Sequence, residues 1–146
     1  MESSTIKECK LIPATVIGLD KDVIEVAKKL HDFQERRIFV IDKKKFPVGI
    51  ISIVDINDRV VCRNKNLKKT KAKDIMTYPL HLVVDVKEPV KNVLKKMVLK
   101  DNFYVPVIEK GVIKGLLTYA NLKKVLEKDG KTIRTNNRRA KKSPKS

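Results

Sequence analysis

Tryptophan is absent from this sequence, and cysteine and histidine occur only twice each among its 146 residues. Cys9 and Cys62 form no CxxC pair, and His31 and His81 lie far from both along the chain. Because protein metal sites need several such ligands at short, regular spacings, we predict reduced thiols and no metal site.

Long apolar runs are also missing. No segment approaches the roughly 18 consecutive apolar residues that a transmembrane helix requires. Residues 1–5 lack the basic start and apolar stretch of a secretory signal. We therefore expect a cytoplasmic protein that does not contact membranes.

Catalytic patterns are equally scarce. With five glycines in the whole chain, there is no glycine-rich phosphate loop, and no Ser-His-Asp or Cys-His arrangement is evident. His31 and His81 have no evident nucleophile or carboxylate partner in the sequence. We expect no catalytic residues, no required cofactor and no enzymatic activity.

What the chain has in abundance is positive charge, with 34 basic against 17 acidic residues and a net charge of +17. Seven of the basic residues lie in residues 131–146, which contain no acid, so 27 remain against the same 17 acids in the rest of the chain. A basic surface of this kind suits nucleic acids, anionic nucleotides or acidic partners. For DNA or RNA, the candidate contacts lie in the C-terminal arm: Arg134, Arg138, Arg139, Lys141 and Lys142.

An internal repeat organises the sequence. The segment Gly49–Ile56 reads Gly, two aliphatic residues, a hydroxyl residue, two spacers, Asp and an aliphatic residue; Gly115–Leu122 repeats this order 66 residues later, with Asn in place of Asp. Each copy predicts a buried strand that ends at a hydroxyl residue and turns into a helix. The chain is therefore a twofold repeat of about half its length.

Hydrophobic periodicity places the same β-α-β-β-α order in both halves, which predicts an α/β (α+β) fold whose two halves hide their apolar faces against each other. We assign residues 1–10 to a loosely ordered lead-in, 11–63 to the first repeat, 64–73 to a linker, 74–129 to the second repeat and 130–146 to a basic, disordered tail.

Several local expectations follow from the pattern. A helical stripe runs from Val23 to Phe33, and the first repeat closes with a helix from Asp55 to about Cys62. The second repeat opens with a strand over 82–84. Pro106 falls inside a predicted strand, which normally restricts it to an edge or a bulge.

Together these residues resemble the cystathionine-β-synthase (CBS) domain family, and in particular a stand-alone, archaeal-like tandem pair, or Bateman module. The resemblance rests on Asp74–Thr77, which is similar to the segment that leads into a CBS domain, on Val105–Glu109, which is similar to its Pro-Val-Val-Asp-type strand, and on the two glycine-led segments above. It covers the chain from about Leu11 to Lys128.

The resemblance implies two repeats packed sheet to sheet with pseudo-twofold symmetry. It also implies a regulatory module whose two clefts bind adenosyl compounds such as AMP, ATP or S-adenosylmethionine, and which forms a homodimer through its helices. In that pattern the Asp three residues after the Ser or Thr holds the ribose diol. Adding residues of the leading segments and central strands, we predict this nucleotide set: Ser52, Asp55, Thr118, Asn121, Thr15, Arg37, Thr77 and Tyr104.

Two alternatives remain open. Ser52 and Asp55 also fit a helix cap without any ligand. The other alternative concerns the function, which would then be nucleic-acid binding.

The two clefts are expected to differ. Asn121 has one acceptor oxygen where the family has a carboxylate, so we expect weaker ribose binding in its cleft. Since Asp55 shares a repeat with the less typical leading segment, Lys10–Thr15, its cleft is expected to lack the better base-enclosing residues.

Overall fold

The structure is a computed structural model, and it describes residues 4–129. The first half contains a 3₁₀ turn at Ile6–Glu8, β1 (Val16–Gly18), α1 (Val23–Phe33), β2 (Arg37–Ile41), β3 (Pro47–Ser52), α2 (Ile53–Ile56) and a π-helical turn at Asn57–Val61. The second half contains α3 (Ala72–Ile75), β4 (Val84–Asp85), α4 (Val90–Lys100), β5 (Tyr104–Glu109), β6 (Val112–Thr118) and α5 (Tyr119–Asp129).

Each half forms a three-stranded sheet with its middle strand in the centre, in the orders β1-β2-β3 and β4-β5-β6. The first two strands of each sheet run parallel and the last two antiparallel. The two sheets meet at Phe39 of β2 and Tyr104 of β5, whose rings stack with centroids 5.8 Å apart. The predicted α+β architecture of two repeats is confirmed.

The long helices begin and end where local chemistry predicts. Asp22 caps α1 by accepting the N–H of Glu25 at 2.9 Å, and Val23, Val26 and Leu30 are buried at helical spacing. The helix stops at Gln34, which adopts a left-handed conformation. Phe33 does not belong to the buried stripe, because its side chain is 59% exposed.

The strand that opens the second repeat is shorter than its counterpart. In the first repeat, Phe39 donates its N–H to the carbonyl of Thr15 at 3.0 Å. Pro106 stands at the corresponding place and has no N–H to donate. Consequently β4 begins only at Val84 and spans two residues. Pro106 does not lie at an edge, since β5 is the central strand, but it is next to the register shift between Val107 and Ile108.

The segments that lead into the repeats are exchanged between them. Residues 4–7 bond to the second repeat: Val90 N–H donates to Ser4 O, and Ile6 N–H to Glu88 O, both at 2.9 Å. Residues 70–73 bond in the same way to the first repeat, with Val23 N–H donating to Thr70 O at 2.9 Å. Each repeat is therefore completed by the segment that precedes the other one.

The two hydrophobic cores reflect this exchange. Ile6 is fully buried in the core of the second repeat, and Ala72 and Ile75 are buried in the core of the first. The described part of the lead-in, residues 4–10, is thus packed and hydrogen-bonded instead of loosely ordered. The end of the segment expected to be a linker likewise forms part of a core, because its apolar side chains complete the face that α1 and β3 leave open.

The helix that closes the first repeat begins earlier than predicted, at Ile53, and changes from α- to π-helical geometry at Asn57. The amide of Cys62 donates to Asn57 O, five residues back, at 2.9 Å. Val60 is fully buried, whereas its neighbour Val61 is 62% exposed.

Candidate functional site

A cavity of about 580 Å³ lies where the two sheets meet. Its apolar wall includes Phe39, Leu82 and Pro106, and its polar lining includes Arg37 and Thr77. Both repeats contribute to this wall. The combination of apolar surface and a few convergent polar groups is typical of small-molecule sites, and the volume falls within their usual range.

Arg37 and Tyr104 form the most specific arrangement at this cavity. The guanidinium carbon of Arg37 lies 4.8 Å from the centroid of the Tyr104 ring, and the ring of Phe39 stacks on Tyr104 at an interplanar angle of 13°. The stacked rings of Phe39 and Tyr104 provide a flat, polarisable surface, and the guanidinium of Arg37 adds a positive charge beside it. Such a surface suits a planar heterocycle attached to an anionic group.

Burial raises the pKa of Tyr104, and the negative charge of Glu35 raises it further, while the positive charge of Arg37 acts in the opposite direction. The phenol therefore stays protonated well into the alkaline range. Its hydroxyl is a hydrogen-bond donor and acceptor at neutral pH.

Ser52 and Asp55 form a reciprocal helix cap. Asp55 N–H donates to Ser52 Oγ at 3.1 Å, and Ser52 N–H donates to Asp55 Oδ2 at 2.8 Å. The second carboxylate oxygen, Oδ1, lies 3.7 Å from Nη2 of Arg59. Asp55 is the residue predicted to hold the ribose, and both of its carboxylate oxygens thus have neighbours within the protein. Ser52 lies opposite Arg37 in the β2–β3 register, which places this cap beside the strand that lines the cavity.

Thr118 and Asn121 repeat only half of that arrangement. Asn121 N–H lies 3.3 Å from Thr118 Oγ1, its acceptor, and Thr118 lies opposite Tyr104 in the β5–β6 register. Asn121 also lines a separate cavity of about 530 Å³, together with Lys124, Val125 and residues 9–13. The predicted residues of the two repeats are therefore not gathered into one site.

The leading segments are not where sequence reasoning assigned them. Thr77 exchanges two backbone hydrogen bonds with Ile50 of β3, at 2.8 and 3.0 Å, and Ile12 does the same with Leu116 of β6. Since Ile50 precedes Ser52 by two residues, the typical leading segment at 74–77 lies beside the repeat that contains Asp55. Our expectation that Asp55 is combined with Lys10–Thr15 is therefore wrong. Thr15 itself contacts the neighbouring strand through its carbonyl, which accepts the N–H of Phe39.

A family model for the CBS domain matches this chain twice, at residues 7–61 and 72–128. The chain belongs to the CBS domain family. Each match overlaps one of the two repeats, so the chain is a tandem CBS pair, a kind of module that is generally regulatory and not catalytic.

Two curated proteins are similar to this chain over part of their own length. An uncharacterised protein of Methanopyrus kandleri is 28% identical over 103 residues, which are 70% of this chain and 52% of that protein. A CBS domain-containing protein of Arabidopsis thaliana is 26% identical over 80% of this chain and 21% of its own length. The chain thus spans about half of the first relative and a fifth of the second.

Solved CBS structures confirm the fold. A CBS domain protein from Pyrobaculum aerophilum, in complex with AMP, superimposes with a TM-score of 0.64 at 23% identity, over 85% of this chain and 96% of that one. The CBS domain of a membrane protein from Sphaerobacter thermophilus gives a TM-score of 0.65 at 22% identity, over 84% and 88%. At such identities the similarity concerns the fold alone.

Sequence reasoning missed several residues that line the cavity or contact a predicted site residue. Phe39, His81 and Asn102 line it, and Arg59 contacts Asp55, yet none was predicted as a site residue. Phe39 was detectable, because it occupies the place of Pro106 in an otherwise conserved repeat order. Arg59 carried one signal, since its i,i+4 spacing from Asp55 on the predicted helix favours an ion pair. Its other partner, Ile75, is known only from the tertiary structure.

Other expectations concern features away from the cavity. The five basic residues proposed for nucleic acid, from Arg134 to Lys142, lie outside the described residues 4–129. Within that range, no group of three or more His, Cys, Asp or Glu side chains is arranged to hold a metal ion. No helix among the described residues has the length and apolar character needed to cross a bilayer.

Proposed function

We propose that this CBS pair is a regulatory module that binds an adenosyl nucleotide in the cavity between its sheets. The observation that carries this proposal is the cavity itself, with aromatic and apolar walls from both repeats and the exposed guanidinium of Arg37 at its edge. We expect an adenine base to lie against the aromatic and apolar wall, and the guanidinium to act as a bidentate partner for a phosphate.

The AMP complex of the Pyrobaculum CBS protein supports this choice of ligand class. The repeat-exchange geometry supports it too, because Thr77 pairs with Ile50 of β3, the strand that ends at Ser52 and leads into the helix of Asp55. A carboxylate accepts from both hydroxyls of a cis diol. A ligand that contacts both repeats favours one arrangement of them over another, which is the physical basis of regulation by population shift.

Isothermal titration calorimetry of the nucleotide-stripped protein with AMP, ADP, ATP, S-adenosylmethionine and methylthioadenosine tests the proposal. We expect micromolar binding of at least one ligand. Arg37→Ala should weaken a phosphate-bearing ligand by about tenfold or more, because a charge-assisted hydrogen bond is lost. Arg36→Ala is the matched control, since this neighbouring arginine is exposed and does not line the cavity. The absence of heat across the whole panel would refute the proposal.

The function proposed here is ligand binding without chemistry, in keeping with the regulatory role that is general among CBS pairs. No observation in residues 4–129 favours the alternative, nucleic-acid binding through the C-terminal arm, and we do not propose it.

We further propose that the chain forms a homodimer through its helices. Supporting this, Leu99 and Val98 at the end of α4 are 83% and 57% exposed, and burying such side chains is favourable. Light scattering after size-exclusion chromatography should give twice the monomer mass for the natural chain and the monomer mass for Leu99→Lys. A monomeric natural chain would contradict the proposal.

A further inference from the structure

Arg59 connects the helix cap at Asp55 with α3, two features that sequence reasoning treated separately. Its Nη1 donates to the carbonyl oxygen of Ile75 at 2.8 Å, and its Nη2 lies 3.7 Å from Oδ1 of Asp55. Ile75 is the last residue of α3 and is 2% exposed. The guanidinium is thus anchored on a fixed backbone carbonyl and directed at a carboxylate whose side chain is only 16% exposed.

The carboxylate of Asp55 is already engaged in part by groups of the protein. Oδ2 accepts the N–H of Ser52 at 2.8 Å. Nη2 of Arg59 lies 3.7 Å from Oδ1, so the guanidinium attracts this oxygen and occupies the space beside it. A ligand diol that requires both oxygens must therefore compete with groups of the protein itself.

The second repeat provides an internal comparison. Val125 lies 66 residues after Arg59, at the same distance from Asn121 as Arg59 is from Asp55. There the side chain has no charge, and Asn121 and Val125 both line an open cavity of about 530 Å³. The contact between the Asp55 carboxylate and the carbonyl of Ile75 through Arg59 therefore depends on one side chain that the repeated fold does not require.

We propose that Arg59 is a built-in competitor for the Asp55 carboxylate and sets the affinity of the first cleft for ligands that bear a cis diol. This inference rests on the proposed adenosyl function and adds a determinant of its specificity. The ion pair is long, and the Arg59 side chain is 40% exposed. Solvent therefore screens the attraction, so a ligand displaces the guanidinium at modest cost.

The test compares AMP with 2′-deoxy-AMP in calorimetric titrations of the full chain and its variants. Arg59→Val introduces the residue of the second repeat, and Arg63→Val is the matched control at an exposed arginine of the same region. We expect Arg59→Val to bind AMP about two- to fivefold more tightly, the range that a screened ion pair allows. The gain should vanish for 2′-deoxy-AMP, which lacks the diol, and should be absent in Arg63→Val.

The possible results separate this inference from the proposed function. If natural protein and Arg59→Val bind AMP equally, or if the variant binds more weakly, the inference is wrong while the proposed function stands. If neither binds any nucleotide, both fail. Binding by the variant alone would support the inference strongly. Circular dichroism and thermal unfolding verify the fold; if Arg59→Val is unfolded, Arg59→Lys, which cannot span both partners, should give a partial gain and replaces it.

Discussion

The guanidinium of Arg37 lies 4.8 Å from the ring centroid of Tyr104, so two residues that occupy the same place in the two repeats, 67 positions apart, contact each other at the sheet junction. A symmetric repeat forces equivalent positions together near its axis. Here the two positions carry complementary chemistry, a cation and an aromatic ring, which attract each other.

This contact predicts how Tyr104 titrates. Because the charge of Arg37 opposes the upward shift caused by burial and Glu35, Arg37→Ala should raise the pKa of Tyr104 further. Phenolate absorbance during an alkaline titration measures it, in a Tyr78→Phe, Tyr119→Phe background that leaves one tyrosine. Arg36→Ala in the same background is the control. An unchanged or lower pKa in Arg37→Ala would show that the cation does not act on the ring.

The burial of Ile6 predicts that the lead-in stabilises the second repeat. Ile6→Ala should lower the free energy of unfolding by about 2–5 kcal/mol, since it removes a fully buried aliphatic side chain and leaves a cavity. Leu67→Ala, at a side chain that is 46% exposed, should change it by less than about 0.5 kcal/mol. Urea denaturation measures both. A loss for Ile6→Ala as small as that of the control would mean that the lead-in is not part of the core.

The two repeat glycines should differ in their tolerance of a side chain. A Cβ at Gly115 would lie 2.8 Å from the carbonyl oxygen of Ile12 and 2.9 Å from Cβ of Leu11, whereas at Gly49 its nearest neighbour is the flexible Met76 side chain. We expect Gly115→Ala to cost about 1–3 kcal/mol of stability, and Gly49→Ala less, because backbone cannot move aside as a thioether can. Denaturation midpoints of the two variants decide the order. The reverse order would show that the Ile12–Leu116 pairing is adaptable.

The ion pair between Lys7 and Glu109 predicts a pH dependence. A hydrogen bond from Lys7 at 2.7 Å, together with its charge, lowers the pKa of Glu109. Because the folded pKa lies below the unfolded one, the pair stabilises the fold at pH values above the ordinary range of Glu, and this stabilisation is lost as the pH falls through the folded value. In Lys7→Met, carbon-detected NMR titration should find the pKa of Glu109 raised. Lys10→Met, with its lysine outside the pair, should leave that pKa where it is.

Local chemistry explains why much of the fold is readable from the sequence. Several elements depend on residues that are close together in the chain, and each lies where periodicity and capping predict. They are the helical stripe after Asp22, the buried β2 strand, and the β3 and β6 strands with their repeat glycines. The helix cap at Ser52 and Asp55 is of the same kind. The duplication is visible because both copies must satisfy the same local rules.

Only the tertiary structure decides which leading segment completes which sheet. Thr77 bonds to Ile50 and Ile12 to Leu116, across separations at which neither periodicity nor capping carries information. This exchange places the Asp55 copy beside residues 74–77 and positions Arg59 between Asp55 and Ile75. The sequence by itself therefore determined the repeated unit and its candidate ligand residues. The composition of each cleft depends on long-range hydrogen bonds and on which apolar face remains to be covered when the two repeats come together.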